Sequence, residues 1–252
     1  MNSFEKIIDS KFAVVAFAVA LVAISCNREK APDCFQSAGE YNTEKRLLEE
    51  FSSIELHDYI QYELCDTNFF GVEVTAPGNL ISDIKTEVTD SKLRVRNTNS
   101  CNFVRSYKNR ITVRLYAPQF SDIQNFSTGD ITSVNVIVDA LFSIENRGAA
   151  GTQHLTLHCD TVNLASHTGV SDAFLNGQCD VVKLFNQGLG ITDARALSAN
   201  YAFVNNSSLN DVYVQSHSYL FGYIQFSGNI FYEGNPQTID EQIEGDGDII
   251  AF

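Results

Sequence analysis

The chain has 252 residues, 44% hydrophobic and only 19% charged, which fits a globular protein with a sizeable core and excludes a disordered one. Its formal net charge of −14 weighs against nucleic acid and anionic leaflets as partners, since both are recognised through clustered Lys and Arg. The acidity therefore serves solubility, or at most a preference for cations.

The N-terminal "MNSFEKIIDSK" carries Lys6 and Lys11 and leads into a thirteen-residue apolar run, Phe12 to Ile24. A run that short suits the hydrophobic region of a signal peptide better than a span of ~30 Å of hydrocarbon. It ends in "AISC", which resembles a bacterial lipobox: small residues, then Cys26. That resemblance implies a signal peptide over residues 1–25, cleavage before Cys26 and thioether lipidation of Cys26; an uncleaved anchor is the alternative. Several acyl chains at ~0.8 kcal/mol per buried methylene make such an anchor effectively permanent. The expected location is the cell envelope, as an outer membrane lipoprotein facing the periplasm or the exterior, with the lipid anchor its contact with the membrane. Without Cys26, five cysteines remain, Cys34, Cys65, Cys101, Cys159 and Cys179. An odd number in an exported protein implies at least one free thiol or an intermolecular bond.

Residues 26–45 are polar and irregular and suit a tether. "NTEKRLLEEF" is either one short capped helical turn or the lead into a first strand. The runs "SSIELHDYIQYEL", "FGVEVTAP", "KTEVTDSKLRVRN" and "RITVRLYAP" follow, alternating in period two and broken by Gly, Pro, Asn and Asp. No stretch has the pattern of a long amphipathic helix.

Beyond Pro118 a repeat emerges. "CDTVNL" at Cys159 returns as "CDVVKL" at Cys179, and Ile123, Ile144, Leu164, Leu184, Val204 and Ile224 recur at intervals of 21, 20, 20, 20 and 20. Two residues after each stand Asn125, Asn146, Ser166, Asn186, Asn206 and Phe226. A fixed period near twenty is the mark of a solenoid, and coils stacked at ~4.8 Å would turn equivalent residues into columns. The expected fold is all-β, a right-handed parallel β-helix with about 20-residue coils. The aliphatic column would fill its interior, and the Asn column would bond up and down the stack. Cys159 and Cys179 would lie one coil apart, as stacked thiols or as a disulfide.

"FSSIELHDYIQYEL", "ITVRLYAPQFSDIQNFSTGDI" and the closing "IEGDGDI" resemble the GIN domain, the auto-transporter adhesin head family of Bacteroidetes lipoproteins. The resemblance covers about residues 46–252 as a single domain and rests on the order and spacing of segments. It implies an envelope location, a β-helical fold and an adhesive role, and brings no catalytic residues. The chain departs from the family in holding several cysteines and no literal Gly-Ile-Asn.

Chemistry-bearing clusters are sparse. His154 and His158 on one strand lie ~13 Å apart, too far for one zinc ion. Asp160 would stack over Asp180, a calcium site at best and two solvated carboxylates more simply. No nucleophile motif, phosphate loop or metal-ligand spacing is present, so no catalytic residue, metal or cofactor is expected. The expectation is a non-enzymatic recognition or adhesion domain. The alternatives are a polysaccharide lyase or hydrolase on the same scaffold and a structural envelope protein without a ligand. The candidate binding residues are Tyr201, Phe203, Tyr219, Phe221 and Tyr223, which the register turns outward on two stacked coils for a glycan or protein ligand. Residues 233–252 could instead fold back as a cap over these rings.

Overall fold

The computed structural model of the protein describes residues 38–99 and 110–252. Cys26, Cys34 and Cys101, and with them the signal peptide, the lipidation site and most of the tether, lie outside the described residues.

Five long strands build the solenoid: β10 (Ile137–Ala149), β11 (Thr152–Gly169), β12 (Asp172–Asn186), β13 (Thr192–Asn206) and β14 (Val212–Ile224), each pairing in parallel with the next. Their alternation explains how each coil bends. In β11 the buried residues are Gln153, Leu155, Leu157 and Cys159, then Val162, Leu164 and Ser166. The inward phase slips by one residue at Asp160–Thr161, which turns a corner and starts a second face. In β12 the same slip follows Cys179, so the repeated Cys-Asp-x-Val-x-Leu is the corner of the coil.

The aliphatic column forms as expected, with Ile123, Ile144, Leu164, Leu184 and Val204 partnered in succession. It departs at β14, where Val204 faces Gly222 and Asn206 faces Ile224. Ala194 pairs with Val214 and Ser198 with Gln215, a loss of three residues before the corner. One is regained at the corner, where Ala199 pairs with Ser216 and Tyr201 with Tyr219, so that coil is shorter by two residues. Glycine suits position 222, because a Cβ there would lie 2.4 Å from Cδ1 of Ile249.

The Asn column is a ladder only at its start. Asn125 donates to Asn146 and Asn146 to Ser166. Asn186 is buried with neither amide atom bonded, and Asn206 donates instead to the carbonyls of Asn210 and Asn229. The break falls where the short side chain of Ser166 replaces an amide.

The N-terminal half completes earlier coils from separate pieces. β2 (Ser53–Leu56) lies in parallel between β6 (Lys92–Asn97) and β8 (Ile123–Asn125), while β3 (Gln61–Asp66) lies between β7 (Thr112–Ala117) and β9 (Ile131–Ser133). Antiparallel strands close this end: β5 (Ile84–Thr89) on β6, and β4 (Gly71–Pro77) between β7 and β1 (Tyr41–Leu47). Tyr41 to Lys45, placed in the tether on composition, are thus in the sheet, held by pairing with β4. Arg46 pins the strand by donating to the carbonyls of Ile84 and Ile81.

At the other end β15 (Ile230–Glu233), β16 (Thr238–Ile243) and β17 (Ile249–Ala251) form a final coil, β16 on β14 and β17 on β15. Residues 233–252 therefore extend the stack instead of folding back over its outward face.

Candidate functional site

With Ala202, Val204, Leu220 and Ile224 buried, strand alternation turns Tyr201, Phe203, Tyr219, Phe221 and Tyr223 outward. Tyr201 is the register partner of Tyr219, and Phe203 of Phe221; Asn205 stands opposite Tyr223. All five rings thus share one face, as the sequence expects. Tyr201 and Phe203 are 42% and 38% exposed, the other three are half-buried, and none lies beneath the C-terminal segment. Phe203 and Tyr219 pack with ring centroids 5.7 Å apart. The final coil braces the rings: the Tyr219 hydroxyl donates to Asp240 and the Tyr223 hydroxyl to Glu244, each at 2.8 Å. These hydrogen bonds to carboxylates hold both phenols above their ordinary pKa.

Beside the rings a shallow groove of about 450 Å³ runs across β10 to β14. Glu145, Asn163, Lys183, Phe185, Phe203 and Phe221 line it. Glu145 is occupied locally, with Arg147 at 2.7 Å and the His167 ring at 3.7 Å. Phe185 is a contributor that the sequence reading passed over. The signal was available, since it occupies the outward position after Leu184 in the repeated motif and meets His167 at 5.3 Å.

A second, polar groove of about 340 Å³ lies at the coil corner, lined by His158, Asp160, Gln178, Asp180, Ser198 and Asn200 among others. Gln178 Nε2 lies 2.8 Å from the His158 ring, and Asn200 donates to Asp180 at 2.9 Å. Asp160 and Asp180 are exposed, as two solvated carboxylates would be. His154 stacks on Phe174 at 4.9 Å. A polysaccharide lyase would need a basic residue beside the acid pair. Lys183 lines the other groove, while Arg195 is bound to Asp193 and lies over the Tyr213 ring at 4.7 Å. Among the described residues no group of three His, Cys, Asp or Glu side chains is placed to hold a metal ion.

Residues 50–236 match the family described as "Putative auto-transporter adhesin, head GIN domain". The fold is similar to that of a "putative adhesin" from Bacteroides fragilis, with a TM-score of 0.75 at 22% identity over 84% of this chain and 97% of that one. It is also similar to a "putative lipid binding protein" from Parabacteroides distasonis, with a TM-score of 0.63 at 16% identity over 85% and 97% of the two chains. A "putative adhesin" from the same organism gives 0.60 at 15% identity over 85% and 98%. At these identities the likeness is one of fold. No curated protein matches the chain.

Proposed function

The chain belongs to the GIN-domain family of auto-transporter adhesin heads, and from that premise we propose that it is a non-enzymatic recognition protein of the cell envelope. Its solenoid serves as a rigid stalk and platform, and the outward rings of Tyr201, Phe203, Tyr219, Phe221 and Tyr223 are the contact surface. The observation that carries this reading is the gathering of five aromatic side chains on one outward face of two coils, braced from the neighbouring coil by Asp240 and Glu244. Outward positions of the earlier coils hold Ser143, Asn163 and Lys183, and of the rings lining the groove only Phe185 precedes the five, so the cluster is local. Flat rings with polar tips suit sugar faces or a protein partner. The N-terminal lipobox-like "AISC" supports attachment through a lipid on Cys26 and residence at the outer membrane.

A glycan and host-matrix array probed with the soluble chain, residues 27–252, tests the proposal. Binding that weakens in Tyr223→Ala, with the circular dichroism spectrum unchanged, supports it. Binding that Tyr223→Ala and Phe203→Ala both leave intact would remove this face from the account.

A further inference from the structure

We infer that the groove beside the aromatic face binds an acidic oligosaccharide, one carrying a carboxylate-bearing sugar, with Lys183 as the residue that selects the charge. The inference rests on the recognition reading above and narrows it to a ligand class.

The first support is shape. The groove crosses five successive strands, β10 to β14, which at the spacing of a parallel sheet is a run of ~19 Å. It is open along its length, so it suits an extended chain lying along the solenoid axis better than a compact cofactor. The second is the division of its wall. Phe203 and Phe221 offer flat apolar faces for the C–H side of a sugar ring, and Phe185 adds a third in the next outward column. The column of Phe203 continues towards β10 through Lys183 and Asn163, where Asn163 can meet hydroxyls. An acyl chain would have no use for that polar end.

The third is charge. After Arg114 the chain carries only three basic residues, Arg147, Lys183 and Arg195, against fifteen Asp and Glu. Arg147 is bound to Glu145 and Arg195 to Asp193. Lys183 is exposed, and among the described residues no carboxylate pairs with it. It stands at the middle coil of the groove, in the outward column of Asn163 before it and Phe203 after it. A free cation there, on a body otherwise negative, makes the groove the place on this half where an anionic ligand is not repelled.

The test uses the mature protein and two matched probes, α-1,4-tetragalacturonic acid and its fully methyl-esterified, neutral form, with binding read by titration calorimetry. We expect the acid to bind at least roughly fivefold more tightly, the yield of one charge-assisted contact at a partly exposed site. Lys183→Met should erase that preference, so that acid and ester bind alike, and Lys183→Arg should retain it. Equal binding of acid and ester, or a preference that survives Lys183→Met, overturns the inference while leaving the recognition face standing. Binding of palmitate in the groove in place of either sugar overturns it as well. A protein ligand that depends on Tyr223 but not on Lys183, with neither sugar bound, would do the same and keep the broader proposal.

Discussion

Asn125 and Asn146 stand in register on adjacent strands, and Nδ2 of the first donates to Oδ1 of the second across 2.8 Å. The same oxygen accepts from Nε2 of Gln153 at 2.6 Å, and Nδ2 of Asn146 donates to Ser166 at 3.2 Å. Asn146 is therefore the hub of a buried polar network. Asn146→Leu should cost about 2–4 kcal/mol, since three partners lose bonds without gaining water. Asn186 is equally buried but unbonded, so its amide already carries a desolvation cost. Asn186→Leu should be neutral or stabilising within about 1 kcal/mol. Urea unfolding of both variants decides it: equal losses would mean that the Asn186 amide is bonded within the stack.

Glycines separate two kinds of constraint. Gly177 has φ +109° and a Cβ there would lie 2.0 Å from the carbonyl oxygen of Leu157 on the neighbouring coil. Backbone strain and a backbone clash combine, so Gly177→Ala should cost ~3 kcal/mol or more. Gly148 has φ +72° but nothing within 4 Å of its virtual Cβ. Gly148→Ala should lose only the strain, ~1–2 kcal/mol. A thermal midpoint for Gly177→Ala equal to that of Gly148→Ala would contradict the close stacking of β11 and β12.

These contrasts show which parts of the fold were legible in the residues. Ile144, Leu164, Leu184 and Val204 announced their column because each coil between them has the same length and each side chain points inward. The β14 coil hid its register for two physical reasons. Gly222, which occupies the column, carries no side chain to signal burial, and Ile224 two residues on supplied an apolar residue at the expected interval. The Asn column looked uniform in sequence, yet hydrogen bonding depends on reach, and Ser166 is too short to pass the ladder on to Asn186. In the N-terminal half the strand pattern was plain, but pairing was not. β2 joins β8 and β6 across long stretches of chain, and nothing local to "SIEL" specifies those partners. The aromatic face was readable from alternation alone, whereas the groove needed the relative placement of Lys183, Phe185 and Phe221.

Cys159 and Cys179 are register partners on β11 and β12, both buried and both free thiols. Of the two arrangements open to them, the structure takes stacked thiols. Burial pushes the Cys159 thiol up and the Cys179 thiol up to about 12, with Cys159 beside it adding to the effect. Because the thiolate is the nucleophile, Cys179 at pH 8 should react with iodoacetamide ~10³-fold more slowly in the native state than in urea. Mass spectrometry of partly alkylated protein gives the order of labelling. Rapid modification of Cys179 in the folded protein would argue that the corner opens.

The proposed lipid anchor has its own test. Cys26→Ala should lose the label from radioactive palmitate and move the protein out of the membrane fraction, while leaving the described domain folded. A variant that keeps both the label and the membrane would end the case for an acylated cysteine.

Acid stability should depend on Glu55. Its carboxylate accepts from Nε of Arg94 and from Nζ of Lys92, both at 2.7 Å, binding β2 to β6 at the N-terminal end of the solenoid. Those hydrogen bonds, Arg94 first, lower its pKa to about 2 against the opposing effect of burial. In the unfolded chain the group titrates near ~4.3. A depressed folded-state value means that the ionised carboxylate stabilises the fold above the unfolded pKa, and that this stability is lost as pH falls from there through about 2. Arg94 and Lys92 are partly exposed, so solvent screening leaves about 1 kcal/mol of the shift as usable stability. Glu55→Gln should therefore unfold at lower urea than the parent at pH 7, and the gap should narrow through pH 4 and nearly close by pH 2. A gap of constant size across that range would mean that Glu55 contributes through packing and not through its charge.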